Sequence, residues 1–120
     1  MAYDPDNVFA RILSGEVPCR KVVETAHSLA FHDVHPQAAV HVLVIPKGSY
    51  ATLEDFCREA DAEEVADWVQ TVARVAELLE ITESGYRVLA NTGRDAHQEV
   101  PHLHMHVFGG GDLGRMIRSP

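Results

Sequence analysis

His102-Leu103-His104-Met105-His106-Val107-Phe108 places an imidazole at every second position, and the run ends in Gly109-Gly110-Gly111. Imidazole is the side chain that changes most readily between nucleophile, proton donor and proton acceptor near neutral pH. A period of two is the strand period, so the spacing predicts one half-buried strand across the stretch. All three imidazoles then project from one face, with Leu103, Met105 and Val107 on the other. A row of same-face histidines is a poor choice for packing alone. The segment reads as a site.

Three chemistries suit it. An HxH pair on a strand can chelate Zn²⁺ or Cu²⁺, but the triple contains no Cys, Asp or Glu, and the nearest acidic candidates are Asp33 and Glu99. A solvated sheet face would be the ordinary reading of one histidine. Three in register weigh against it, as do the glycines that follow, which let a backbone or ligand approach closely. The third chemistry is nucleophilic attack on phosphorus, where an imidazole nitrogen forms a phospho-histidine type intermediate that water hydrolyses. Neighbouring imidazoles suppress one another's protonation. That keeps the nucleophile neutral while its neighbours donate protons or hydrogen bonds to the phosphoryl group.

The other elements must position this row. The chain has 120 residues, 46% hydrophobic and 23% charged, with a net charge of −8. That predicts one globular domain over 1–120, with 111–120 as a C-terminal tail. No Lys/Arg-rich segment is present, which argues against nucleic-acid binding. No stretch reaches membrane-span length and the N-terminus lacks a leader pattern, so no membrane partner and a cytoplasmic location are expected. Cys19 and Cys57 stand far apart and read as free thiols. Asn7–Leu13 has helical spacing with Asp6 as N-cap and Gly15 as stop. Strands are predicted at 20–24, 28–32, 41–46 and 86–90. Thr52 and Asp61 each open a helical stretch with capping-box spacing. From Val65 through Trp68, Val69, Val72, Val75, Ala76 and Leu79 runs one amphipathic helix with Trp68 in the core. The fold class is therefore α+β: about five strands in a mainly antiparallel sheet, one long helix and a short N-terminal helix.

The histidine run matches the His-φ-His-φ-His-φ-φ signature of the histidine triad (HIT) superfamily. Phe31-His32-Asp33-Val34-His35-Pro36-Gln37-Ala38, His41-Val42-Leu43-Val44-Ile45-Pro46-Lys47 and Gly85-Tyr86-Arg87-Val88-Leu89-Ala90-Asn91-Thr92-Gly93 resemble its Hint branch of nucleotide-binding proteins. The resemblance runs in order from about Asp6 to Gly110 and implies a HIT-like fold.

By that resemblance His104 is the nucleophile, attacking the α-phosphorus of a nucleotide. His106 stabilises the phosphoryl oxygens and helps protonate the leaving group, while His102 and His41 orient the other imidazoles. Asp33 with His32 holds the ribose hydroxyls, and Val8, Phe9, Ile12, Phe31 and Val34 match the purine pocket. Asn91 contacts phosphate, and Gln98 lies in the loop that shapes the phosphate site. Histidine rather than glutamine as third member implies hydrolysis rather than nucleotidyl transfer. The implied substrate is a purine nucleotide or nucleoside phosphoramidate, with no cofactor and no metal requirement. The alternatives are a nucleotide-binding regulatory or scaffold protein, or a dinucleoside polyphosphate hydrolase. Glu99 departs from the serine of some Hint proteins; it would repel phosphate unless it points away or pairs with a cation such as Arg94, and the departure implies a changed leaving-group preference rather than lost activity. Asn7 and Ala10 replace a zinc-binding Cys-x-x-Cys of other members. A twofold homodimer with joined sheets is also implied.

Overall fold

In a computed structural model, which describes residues 1–116, five strands form one antiparallel sheet: β1 (Lys21–Glu24), β2 (Ser28–His32), β3 (Val40–Pro46), β4 (Arg87–Leu89) and β5 (Met105–Gly109). Their spatial order is β1-β2-β3-β5-β4. Three helices accompany them: α1 (Val8–Leu13), α2 (Leu53–Glu59) and α3 (Ala62–Leu78). The expected α+β class holds, with α2 as a separate helix beside the long one. Thr52 caps α2, and Asp61 and Glu64 form a full capping box on α3. Asn7, not Asp6, caps α1: its side chain accepts from the Ala10 N–H at 3.0 Å, whereas Asp6 is drawn into a turn on Asp4. No helix among the described residues is long and apolar enough to cross a membrane.

The strand alternation divides the core in two. Ala30, Val42, Val44 and Val107 face one way and pack with Phe56, Trp68, Val72, Val75 and Ala76. Leu29, Phe31, Leu43 and Ile45 face the other way and pack with Phe9, Ile12 and Leu13 of α1. Burying Phe56 and Trp68 stabilises the first cluster by roughly 2–3 kcal/mol each. The Trp68 indole N–H is satisfied by the Val44 carbonyl at 3.0 Å. Val69, expected on the buried stripe, is instead 55% exposed.

The histidine segment differs from the sequence reading in one respect. Regular pairing begins only at Met105, so His102, Leu103 and His104 precede the strand. Leu103, Met105 and Val107 still pack into the α3 cluster, so the alternation survives where the ladder does not. Leu103 is held by its N–H on the Tyr50 carbonyl at 2.8 Å. Gly109, the last residue of β5, serves packing. A Cβ at Gly109 would lie 2.8 Å from Ile81, so the close approach is to the core and not to a ligand. Of the expected tail, residues 117–120 lie outside the described residues.

Candidate active site

His41 and His106 come from adjacent strands, since β3 pairs with β5 and places Leu43 opposite His106 and His41 opposite Phe108. The His41 Nε2 lies 2.9 Å from the His106 Nδ1 and 3.4 Å from an Asp33 carboxylate oxygen. Proton positions follow from the backbone. The Gln37 N–H donates to the His41 Nδ1 at 3.0 Å, so that nitrogen is bare and the His41 proton sits on Nε2. His41 then donates to the His106 Nδ1, which leaves the proton of neutral His106 on its own Nε2. That atom is buried and has no hydrogen-bond partner among the described residues. An unpaired buried donor is costly, and an acceptor placed against it would relieve the cost.

His104 is set in the complementary form. Its Nδ1 lies 2.7 Å from the His102 carbonyl, which only accepts, so Nδ1 carries the proton and Nε2 keeps its lone pair. His102 acts here through its backbone. Its imidazole is turned elsewhere, donating from Nε2 to the Pro46 carbonyl at 2.8 Å and accepting at Nδ1 from the Tyr3 hydroxyl at 2.7 Å. Toward His104 it is the His102 carbonyl, not the ring, that makes the contact.

Burial keeps the set neutral. Desolvation lowers His102 to about 4, the neighbouring His104 adding to the effect. Desolvation likewise lowers His106 to about 4, with His104 and His41 contributing. His41 and His104 are also lowered by burial, offset for His41 by Asp33 and for His104 first by the His102 carbonyl.

A pocket opens beside these rings, lined among others by His104, His106, Asp33, Asn91 and Gln98, with Val8, Phe9 and Val34 as apolar members. The Phe9 ring stands edge-on to His104 with centroids 5.0 Å apart. Gln98 holds the loop above, its carbonyl accepting from the Gly93 N–H at 3.0 Å and its amide donating to the Ala51 and Val100 carbonyls at 2.8 and 3.0 Å. Gly93, at φ 78°, makes the turn this needs.

Other expected site residues fall outside the pocket. His32 pairs with Val42 and shares the α3 side of the sheet with it, away from the imidazoles. Strand alternation requires this, because Phe31 faces α1. Phe31 lies behind Phe9, with ring centroids 5.6 Å apart. Ile12 lines a separate groove with Leu13, Cys19 and Leu29.

His35, Gln37, Leu43, Ala96, His97 and Val100 line the pocket and were not singled out from sequence. His35, Gln37 and Leu43 lie in the segments that resemble the Hint branch, and Leu43 has a second signal in its two-residue spacing from His41 on one strand face. Glu99 lines the pocket too, but Arg94 is engaged with Asp95 at 3.3 Å and not with Glu99. Asp33, His41 and His106 each offer one donor atom, all within 4.8 Å of one another. One carboxylate and two imidazoles could hold a divalent cation. The acidic partner there is Asp33 and not Glu99.

The chain is similar to known proteins in sequence and in fold. The family model described as HIT domain matches residues 14–113. An uncharacterised HIT-like protein of Azospirillum brasilense is 58% identical over 115 residues, 96% of this chain and 94% of that protein. A protein named purine nucleoside phosphoramidase from Escherichia coli is 37% identical over 112 residues, 93% of each chain. Among solved structures, a HIT family hydrolase from Clostridium thermocellum superposes with a TM-score of 0.86 at 39% identity, covering 94% of this chain and 97% of its own. A family match over residues 14–113, with agreement along nearly the whole length of each relative, establishes that the chain belongs to the HIT family.

Proposed function

We propose that this protein hydrolyses purine nucleoside 5′-phosphoramidates to the nucleoside monophosphate and a free amine, through a nucleotidyl-His104 intermediate. Membership of the HIT family makes it a hydrolase in kind, and the relative named for phosphoramidase activity supports the narrower substrate. The observation that carries the reading is the proton inventory. His104 presents a lone pair at Nε2, and His106 an unpaired N–H at its own Nε2.

In this reading the His104 Nε2 bonds to phosphorus as the phosphorus–nitrogen bond breaks. The electron pair leaves with the amine, which takes a proton through the His106 N–H. Water then attacks the nucleotidyl-histidine, restoring the proton to His106 and the lone pair to His104. His41 supports His106 by its hydrogen bond, and the His102 carbonyl fixes the tautomer of His104. Phe9, Val8 and Val34 form the base wall, Asp33 takes the ribose hydroxyls and Asn91 faces the phosphate. The same reading includes a twofold dimer and a cytoplasmic setting. The pocket lining holds the carboxylates of Asp33 and Glu99 and no Lys or Arg, which weighs against a dinucleoside polyphosphate as substrate.

The test is adenosine 5′-phosphoramidate incubated with the protein in EDTA, beside His104→Ala. The expected result is AMP release by the wild type and a loss of roughly a thousandfold or more in the variant. AMP binding without turnover by the wild type would overturn the reading in favour of a nucleotide-binding regulatory protein.

A further inference from the structure

We infer that Glu99 selects the leaving group, so that the favoured substrate is a nucleoside phosphoramidate whose amine carries a second, cationic group, as in a diamine or a basic amino acid. This rests on the phosphoramidase reading and names the class of amine that it leaves open. The starting observation is an imbalance of charge. Asp33 and Glu99 both line the pocket, no Lys or Arg does, and burial pushes His104 and His106 toward the neutral form. A phosphoramidate brings a further negative charge into this lining, and the protein offers no cation to meet it.

The two carboxylates are not equivalent. Asp33 is engaged, one oxygen accepting from the His35 N–H at 2.9 Å and the other lying 3.4 Å from the His41 Nε2. Glu99 is exposed, and among the described residues its carboxylate enters no hydrogen bond or ion pair. The cation closest to it in sequence, Arg94, is turned to Asp95. Glu99 also acts on the nucleophile, since its charge favours the protonated form of His104. The apolar lining from Val8, Phe9 and Val34 takes the base in the proposed reading. The amine is then left to the polar side of the pocket, where the loop carrying Ala96, His97 and Glu99 lies. An ammonium group on the amine pairs with Glu99, whereas a neutral amine leaves that carboxylate facing the phosphoryl charge.

The experiment compares two adenosine phosphoramidates of matched size, one of butylamine and one of 1,3-diaminopropane, on wild type, Glu99→Gln and Glu99→Lys. Taking the ratio of kcat/KM on one enzyme cancels any change in His104 itself. The expected ratio for wild type is about fivefold to tenfold in favour of the diamine, falling when salt is raised to about 0.5 M. It should approach one in Glu99→Gln and drop below one in Glu99→Lys. A ratio that Glu99→Gln leaves unchanged overturns the inference. Parallel binding of the non-hydrolysable butyl and aminopropyl esters of AMP separates this from the reading beneath it. If neither phosphoramidate is cleaved, the phosphoramidase reading fails. A Glu99-dependent preference for the aminopropyl ester would still support the charge selection. Equal binding of the two esters, or no binding, would overturn it.

Discussion

Three of the four imidazoles of the site have their proton placed by a backbone group that cannot exchange roles. A backbone N–H faces His41, carbonyls face His102 and His104, and His106 takes its state from His41. All four are held neutral by burial, which ties folding to pH. His102 and His106 have folded values near 4, below the ordinary 6.5. The unfolded chain therefore binds more protons between those values, so stability is fully present above pH 6.5 and is lost as pH falls through 4. For a fully buried ring such as His102 the span is worth roughly 3 kcal/mol at most. Thermal unfolding should show a steady fall in Tm between pH 6.5 and 4.5, with a shallower slope in His102→Gln; an unchanged slope would exclude His102 as a source. The sequence disclosed these histidines because alternation is a local pattern. It could not disclose Tyr3, whose hydroxyl meets His102 across 99 positions with no periodic signal at the N-terminus. Nor could it separate the ring of His102 from its carbonyl, because either can orient a neighbour.

At the scale of elements, the sheet was legible because period two dictates faces, and β2 has the predicted bounds. Boundaries set by single side-chain bonds were less legible. Asn7 and Asp6 are both good caps, and geometry alone chooses between them. The strand start at Met105 depends on His102 and His104 bonding outside the ladder. Adjacency to Asp33 suggests a shared site for His32, whereas strand parity sets His32 on the α3 side with Val42. The loop from Asn91 to Pro101 is legible in sequence only as polar, although its shape is stored in one residue. The Gln98 amide serves two carbonyls and one N–H. Gln98→Glu preserves size but removes both donors and sets a carboxylate against the Ala51 and Val100 carbonyls. The expected cost is about 2 kcal/mol in urea unfolding. Hydrogen exchange of the Gly93 N–H should accelerate as well, and a variant as stable as wild type would show that the loop is held otherwise.

For the whole molecule, the two edges of the sheet are defended unequally. On β1, Lys21 and Glu24 form an ion pair at 2.6 Å, Lys47 joins Glu24 at 2.8 Å, and the register shifts between Lys21 and Val23. Charges and bulges of this kind keep another strand from pairing. On the opposite edge, β4 pairs with β5 on one side only, and its central Val88 is 42% exposed. Val88 lies opposite Val107 and so faces the α3 side. Leu78 of α3 is 49% exposed as well. α3 packs chiefly over the other four strands, and this end of the sheet is left partly open at Val88. The proposed twofold dimer closes this gap if β4 meets its own copy, continuing the antiparallel sheet across the axis. Light scattering should then give about twice the 13.2 kDa chain mass. Val88→Lys should shift the protein toward the monomer, because the new ammonium groups would meet across the axis. A wild-type protein that stays at the single-chain mass at micromolar concentration would refute the joined sheet. A dimer insensitive to Val88→Lys would place the interface on another surface.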